Sequence, residues 1–411
     1  MVQARIPSSA KLISLIMMHI LHAASFARAE QTSMSFDSLL EQAMTASPLV
    51  QQIEEAVVQQ KATGIGMKTL PNAQLFGETK PYVDHRESND VEYEIGLEQS
   101  IRPSDFGARS ELAGLIAKAS AVEQKLKLKE FEQGLLLAYG KAWALQEKTE
   151  FTQQALGRGE RFVGSLRDLG EQGVVPESTA KLALAETKKL ALELRAIDGD
   201  RERALGELVR RSGVSLSGRR LEKPIFQKLP STISKDAGAA PLLFERVRLG
   251  AELGRAEEKL ARLDAFPKFA PRLAFEHTSD GDDRINVGIS IELPFSDRNQ
   301  AGRMQAAAKS RSAQSQLRYL EAGRLSEEIA LLLGGARSSI EQADRLQSEV
   351  IPLLEQSLSA AERELEAGQG NPIQIWQTLS ELAMSHDRFL ELWMKGLSER
   401  VELSILLGEN V

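Results

Sequence analysis

The chain has 411 residues, no cysteine and a formal net charge of −7 at pH 7. The lack of cysteine excludes disulfides and thiolate metal sites, and the acidic balance is unfavourable for nucleic-acid binding. With only five histidines, the sequence shows no nucleophile–base pair, phosphate loop or metal cage. We therefore expect neither an enzymatic activity nor a cofactor, and no nucleic-acid partner.

Residues 1–29 have the pattern of a secretory signal peptide. Arg5 and Lys11 form a positive segment before a short apolar run from Leu12 to Ala24, and Ala27-Arg28-Ala29 fits a cleavage site of small residues. The run is shorter than the about 20 residues that a membrane-spanning helix needs, although a membrane anchor is the alternative. Cleavage after Ala29 would remove three positive charges and leave 382 residues with a net charge of −10.

Sequence landmarks recur at a nearly constant spacing of 192 to 197 residues. Six matches in the same order predict two copies of one unit, with chance recurrence as the alternative. The copies would span residues 30–213 and 241–411, joined by a linker or equatorial segment at 214–240. The recurring landmarks are Pro48-Leu49 and Pro241-Leu242, His85 and His277, Gly96-Leu97 and Gly288-Ile289, Ser104-Asp105 and Ser296-Asp297, Gly173 and Gly370, and Gly213 and Gly408.

Each copy is predicted to contain a first helix, a hairpin of two strands and two long helices. Leu128, Leu135 and Ala142 repeat at heptad spacing, which indicates coiled-coil packing. A proline-free helix from about residue 104 to 170 would be roughly 100 Å long. The first helices are predicted at about 36–67 and 241–265, the hairpins at about 72–102 and 271–294, and the long helices at about 104–170, 176–212, 296–367 and 373–408. We therefore expect a mainly α-helical fold with a small β part.

The strand from Val91 to Ile101 has two unlike faces, and its counterpart in the second copy repeats the pattern. Both stretches have nine to eleven residues, about the length of a tilted membrane strand. The apolar positions are Val91, Tyr93, Ile95, Leu97 and Ile101, then Val287, Ile289 and Ile291. The polar positions include Glu92, Glu94, Glu98 and Glu292.

Two hairpins give four strands, which cannot close a membrane barrel because the smallest barrels have about eight. In hydrocarbon every backbone N–H and C=O needs a partner, so the sheet would have to close with copies of itself. Three copies would give twelve strands, with the apolar positions facing lipid and the glutamates facing a water-filled lumen. A soluble sheet whose glutamates face solvent is the alternative.

The order of elements from about Phe36 to Gly408 resembles the outer-membrane efflux protein family, the TolC-like channels. Ser47-Pro48-Leu49 is similar to the family's opening-helix motif. Leu293 to Gln300, followed by Gly302, is similar to the strand-to-helix junction of the heavy-metal, cobalt–zinc–cadmium resistance subgroup.

This resemblance implies a homotrimer with a twelve-stranded barrel in the outer membrane and an α-helical tunnel in the periplasm. It also implies two protein partners, a periplasmic adaptor and an inner-membrane pump of the resistance-nodulation-division type. The implied function is passive export of heavy-metal cations to the cell exterior.

Two turns between long helices are rich in glycine and proline. Glycine ends a helix and proline begins the next one, so these turns need no function to explain them. In the family resemblance they would form the periplasmic tip and contact the adaptor. The candidate contact residues are Gly170, Gly173, Val174, Val175, Gly368, Gly370 and Asn371.

Other interpretations stay open at this point. A soluble periplasmic coiled-coil scaffold or adaptor is the alternative from another class, because adaptors also have long helical hairpins. Within the duct hypothesis, rings of carboxylates suit metal cations but also cationic drugs. His85 and His277 lie near acidic residues in the predicted loops, and whether they bind metal is left open. His386 is interpreted as structural.

Overall fold

The structure is a computed structural model that describes residues 33–80, 92–225, 229, 241–278, 281–293, 298–322, 324–367 and 370–407. The predicted signal peptide, His85, Val91, Gly368 and much of the predicted linker lie outside these ranges. No helix within the ranges combines the length and the apolar character that crossing a lipid bilayer requires.

Helices make up most of the described chain, and six strands accompany them. The strands are β1 (Ser33–Met34), β2 (Gln74–Lys80), β3 (Glu92–Glu98), β4 (Arg220–Leu221), β5 (Lys268–His277) and β6 (Asp283–Glu292). The α-helices are α1 (Phe36–Ala46), α2 (Pro48–Lys68), α3 (Phe106–Glu171), α4 (Glu177–Ser212), α5 (Pro241–Leu263), α6 (Gln300–Glu321), α7 (Arg324–Arg345), α8 (Ile351–Glu366) and α9 (Pro372–Leu407). A 3₁₀ turn lies at Pro103–Asp105 and a π-helical segment at Leu346–Val350.

The long helices of the first half begin and end close to their predicted positions. Helix α3 has 66 residues without a break, which corresponds to roughly 100 Å. Helix α4 follows after a short turn and has 36 residues. The expectation of a mainly α-helical fold with a small β part is confirmed.

The predicted first helix is wrong as a single element, because the structure divides it at Ser47. The residue before a proline avoids the helical region, and Ser47 accordingly has an extended backbone with ψ of 127°. Its hydroxyl donates a hydrogen bond to the carbonyl oxygen of Arg211 at 2.6 Å. Pro48 then begins α2, where its missing N–H costs nothing.

The predicted long helix at 296–367 is also divided, into α6, α7 and α8. Pro352 is the second residue of α8, so it has no N–H for the carbonyl of Ser348 and its ring crowds that carbonyl. The π-helical turn Leu346–Val350, just before it, widens the helix at this point. A proline inside the predicted helix was the available signal for the boundary between α7 and α8.

The chain divides into two compact units, each built from segments of both halves. Unit 1 comprises residues up to Pro48, then Leu135–Phe226 and Glu341–Met394. Unit 2 comprises Leu49–Gly134, Gln227–Ile340 and the residues from Lys395 onward. The two predicted sequence copies therefore contribute to both units.

Unit 1 has an apolar core between its long helices. Its buried members on α8 and α9 recur at spacings of three and four residues, as packed helices require. Trp143 and Trp393, in the same unit, pack against each other with ring centroids 4.4 Å apart. The core residues are Ala155, Phe162, Leu166, Ala183, Leu358, Ala361, Leu365, Ile375, Leu379 and Leu382.

A segment of the predicted linker also belongs to unit 1. Strand β4 pairs in parallel with β1, and the hydroxyl of Tyr139 lies 2.6 Å from the carbonyl oxygen of Met34. Burial raises the pKa of Tyr139 well above its usual range. The Lys223 ammonium lies 5.2 Å from the ring centroid of Phe389, and burial lowers the pKa of Lys223. These contacts fix the described start of the linker on the helices of unit 1.

Candidate functional site

The candidate site is the antiparallel sheet of unit 2, whose strands lie in the order β2-β3-β5-β6. The central pair β3–β5 joins the two hairpins, with Leu97 opposite Leu273. Leu75 pairs with Leu97, and Leu273 pairs with Val287. Because directly paired residues lie on the same face of a sheet, this register determines the composition of both faces.

One face, here called the apolar face, carries large hydrophobic side chains on all four strands. Their side chains are between 38% and 80% exposed within the described chain. The apolar face consists of Leu75, Tyr93, Ile95, Leu97, Phe269, Leu273, Phe275, Ile285, Val287, Ile289 and Ile291. Ile101 bridges to Phe269 beyond the end of β3 and is partly buried. Six predicted lipid-facing residues therefore share one face, and Val91 lies outside the described residues.

Such a face is unusual for a protein surface in water. Contiguous exposed apolar patches larger than a few hundred Å² mark interaction or membrane surfaces. Every residue of β6 is exposed, including Ile285 and Val287. The sheet therefore presents a surface that needs an apolar environment or a partner.

The opposite face, here called the polar face, carries the four predicted glutamates. Glu92, Glu94 and Glu98 alternate along β3, and Glu292 ends β6. The register adds six charged residues that were not among the predicted lumen-lining positions, although alternation along the strands placed some of them on the polar side. They are Glu78, Lys80, Lys268, Arg272, Glu276 and Arg284.

Several charges on the polar face are paired across strands. Glu94 and Glu276 are direct neighbours on β3 and β5, an arrangement that destabilises a sheet when both charges are unpaired. The Arg272 guanidinium donates to Glu94 at 3.0 Å. The amide of Asn286 donates to Glu276 at 2.9 Å. The like charges at this position are therefore offset by donors on β5 and β6.

Phe76 is the aromatic residue of the polar face. The guanidinium carbon of Arg272 lies 3.8 Å from its ring centroid, the geometry of a cation–π contact. The ring also lies over Gly96, where an added Cβ would come within 2.5 Å of Phe76 Cζ and 2.7 Å of Ala274 Cβ. Gly96 is thus required by the ring that packs on it.

The two outer strands of the sheet have open edges. Within the described residues, β2 and β6 each pair on one side only. A long, flat, hydrophobic edge is a template for pairing with another chain. The geometry therefore permits the sheet to continue into further copies.

His277 forms a side-chain hydrogen bond on the loop side of the sheet. Its Nδ1 lies 2.7 Å from the carboxylate of Asp283, and its ring stacks on Tyr93 with centroids 5.2 Å apart. Among the described residues, no group of three or more His, Asp or Glu side chains could hold a metal ion. His85, the predicted counterpart, lies outside the described residues.

The first predicted tip turn joins α3 and α4 in unit 1. Gly173 has φ of +73° and supplies the left-handed conformation that the turn needs, while Gly170 still belongs to α3. Val174 is 63% exposed. Val175, by contrast, is partly buried and packs against the core of unit 1. The contact of these turn residues with an adaptor stays a prediction.

The second predicted tip turn precedes α9. Gly370 packs so closely on α8 that an added Cβ would lie 2.4 Å from the backbone nitrogen of Leu365. The side chain of Asn371 accepts a hydrogen bond from the N–H of Ile373 at 3.0 Å, which satisfies one donor of the helix start. Both residues therefore have local structural roles, and their contact with an adaptor stays a prediction.

No protein-family model matches the chain, and no curated protein sequence matches it significantly. Solved structures do match. CusC, from a study of transmembrane channel formation, superposes with a TM-score of 0.74 at 15% identity, covering 91% of this chain and 92% of that chain. The Campylobacter jejuni outer membrane channel CmeC superposes with a TM-score of 0.74 at 13% identity, and the match covers 91% of this chain and 85% of that chain. The Vibrio cholerae outer membrane protein VceC superposes with a TM-score of 0.70 at 15% identity, and the match covers 91% of this chain and 96% of that chain.

The chain has the fold of these outer-membrane channel proteins. At these identities the likeness concerns the fold, and the mainly α-helical class with its small sheet agrees with it.

Proposed function

We propose that the protein is the outer-membrane channel of a tripartite efflux system, a passive duct from the periplasm to the exterior. The observation that carries the proposal is the sheet with an exposed apolar face, a charged opposite face and two open edges. The fold of the similar channel structures supports it. In this function the chain supplies a path and catalyses no reaction.

The proposed environment of the apolar face is the hydrocarbon of the outer membrane. The open edges of β2 and β6 would then lack water as a hydrogen-bond partner, at a cost of several kcal/mol for each unpaired group. Pairing of β6 with β2 of the next copy satisfies both edges, and this head-to-tail contact closes into a ring.

Three copies are proposed because the number of strands sets the diameter of the barrel interior. Two copies would give about eight strands, a barrel whose interior is filled by side chains. Three copies give twelve strands and leave room for a water-filled lumen lined by the polar face. Twelve is also the number that the family resemblance implies.

The proposed partners are a periplasmic adaptor and an inner-membrane pump of the resistance-nodulation-division type, which supplies the energy. The proposed adaptor contact lies at the two tip turns of unit 1. The exposed side chain of Val174 supports this contact, since an apolar residue at a turn gains from burial against a partner.

Heavy-metal cations are the proposed cargo. The glutamates of the polar face support this choice, together with the junction motif from Leu293 to Gln300. Deletion of the protein is expected to lower survival in zinc, cobalt, cadmium or copper salts. Unchanged metal tolerance together with lost drug tolerance would contradict the cargo while leaving the duct intact.

The duct itself is tested by mass and conductance. Detergent-purified protein is expected to have the mass of a trimer by light scattering and to form conducting pores in planar bilayers. A monodisperse monomer that stays in solution without detergent would contradict the duct and favour a soluble scaffold.

A further inference from the structure

The polar face contains one cluster in which a cation, a carboxylate and a ring are held together. Arg272 is ion-paired with Glu94 at 3.0 Å and stacked on Phe76 at 3.8 Å. Glu94 is only 8% exposed, although it lies on a face that carries other, more accessible glutamates. The cluster therefore shields the Glu94 carboxylate from solvent.

The cluster has little freedom to rearrange. Gly96 and Ala274 form a small-residue floor, and the Phe76 ring already fills the space above Gly96. A planar guanidinium can stack on a ring and pair with a carboxylate at the same time, which a lysine ammonium does less well. The position of Arg272 is thus set from two sides.

Arg272 also has a special place among the basic residues of the polar face. Lys268 begins β5, and Arg284 is the second residue of β6. The register places Lys80 opposite Glu92 at the end of β2. Among the described strand residues of this face, Arg272 is the basic residue in the middle of a strand. Six glutamates against four basic residues leave two net negative charges per chain on this face.

We propose that Arg272 is a specificity-determining residue of the duct, which neutralises Glu94 and so limits the preference of the lumen for cations over anions. This inference rests on the proposed function, because the polar face becomes a lumen only in the assembled duct. In a trimer the cluster occurs three times around the lumen, where rings of like charge set the local ion concentrations.

The cluster predicts opposite effects for its two charged members. Arg272→Gln removes the positive charge beside Glu94, so the permeability ratio of K⁺ to Cl⁻ should rise by roughly two- to fivefold. Glu94→Gln leaves Arg272 unpaired, so the ratio should fall by a similar factor. The double variant removes both charges and should return the ratio close to that of the wild type.

The test is the reversal potential of single channels in planar bilayers under a KCl gradient. Arg272→Lys keeps the charge and should stay near the wild-type ratio. Arg284→Gln is the matched control, since it removes one positive charge of the same face near the loop end, where Arg284 lies 3.5 Å from Asp282. The change in the K⁺ to Cl⁻ permeability ratio in Arg284→Gln should be less than half of the change in Arg272→Gln.

The outcomes separate the inference from the proposed function. A wild-type protein that forms no pores contradicts the duct. Conducting wild-type and variant pores with unchanged ion ratios overturn the role of Arg272 alone. If Arg272→Gln does not assemble as a trimer, Glu94→Gln decides, because an unchanged or increased cation preference in that variant contradicts the inference.

Discussion

The helical core of unit 1 and the sheet of unit 2 use the same residue types in opposite ways. Leu358 and Leu379 are buried among other helices of their own unit, whereas Ile285 and Val287 are at least 75% exposed. Removing apolar surface from water stabilises a fold by about 25 cal/mol per Å². Unit 1 gains this energy from its own chain, while the apolar face of the sheet can gain it only from an apolar environment or a partner. The comparison therefore separates a self-sufficient region from one that is completed by its surroundings.

The largest expected effect comes from a charge on the apolar face. Ile289→Asp should prevent stable assembly in the outer membrane, because a charge on the lipid face of a barrel is destabilising in every chain of the ring. The cost near the midplane is about 2–4 kcal/mol for Arg or Lys and somewhat less for Asp. The amount of trimer in the outer-membrane fraction measures this effect.

The matched control for that change is the next residue. Ser290→Asp introduces the same charge on the polar face of the same strand and should leave the trimer yield near that of the wild type. Equal loss of trimer in both variants would contradict the difference between the two faces.

A truncation in the core of unit 1 should have the next largest effect. Leu358→Ala should destabilise unit 1 by about 2–5 kcal/mol, because it leaves a cavity at a fully buried position. Leu353→Ala, on the same helix but at a 65% exposed side chain, should cost less than about 0.5 kcal/mol. Denaturant unfolding followed by far-UV circular dichroism measures both, and similar losses would argue against a self-contained core.

A glycine substitution separates backbone strain from steric contact within unit 1. Gly213 and Gly218 both have φ near +70°, but only at Gly213 would an added Cβ collide, 2.4 Å from the carbonyl oxygen of Ala46. Gly218→Ala should cost about 1 kcal/mol, and Gly213→Ala about 2–4 kcal/mol. Thermal unfolding ranks the two variants by melting temperature. An equal decrease in both would show that the contact between residue 213 and Ala46 relaxes without cost.

The smallest expected effect is a pH dependence centred on His386. Burial lowers the pKa of His386, its ring stacks on Phe151 with centroids 4.2 Å apart, and its buried Nδ1 has no hydrogen-bond partner among the described residues. As the pH falls through the ordinary histidine pKa of about 6.5, the unfolded chain takes up a proton before the folded one, so unit 1 loses stability.

His386→Phe keeps a stacked ring and removes the titration. The decrease in melting temperature between about pH 7.5 and pH 5.5 should be smaller in this variant than in the wild type. An identical pH dependence would assign the acid sensitivity to other groups. This outcome would not affect the packing role of residue 386.

The sequence predicted the elements that depend on local periodicity. The alternation of apolar and polar residues predicted β3, β6 and their two faces, and heptad spacing predicted α3. Breaks that depend on one residue were missed, although Pro48 and Pro352 signalled them. Proline restricts the residue before it, as at Ser47, and removes the hydrogen bond to the carbonyl one turn before it, as at Ser348, so the break appears upstream of the residue that causes it.

The contacts of the candidate site were less accessible to sequence reasoning. The acidic positions of the polar face were predicted, but the pairing of Arg272 with Glu94 depends on the register between β3 and β5. Glu94 and Arg272 are 178 residues apart along the chain, and no local pattern specifies the register of their strands. Likewise, Val174 and Val175 look alike in the sequence, and only the packing of unit 1 distinguishes them.

The central claim is that the apolar face meets lipid while the polar face meets water. Because the chain has no cysteine, Ile289→Cys and Ser290→Cys can each carry a single spin label in the trimer reconstituted into vesicles. We predict that the label at 289 is accessible to oxygen and protected from a water-soluble nickel chelate, with the reverse at 290. A label at 289 that is freely accessible to the chelate, or shielded from both reagents, would contradict the account.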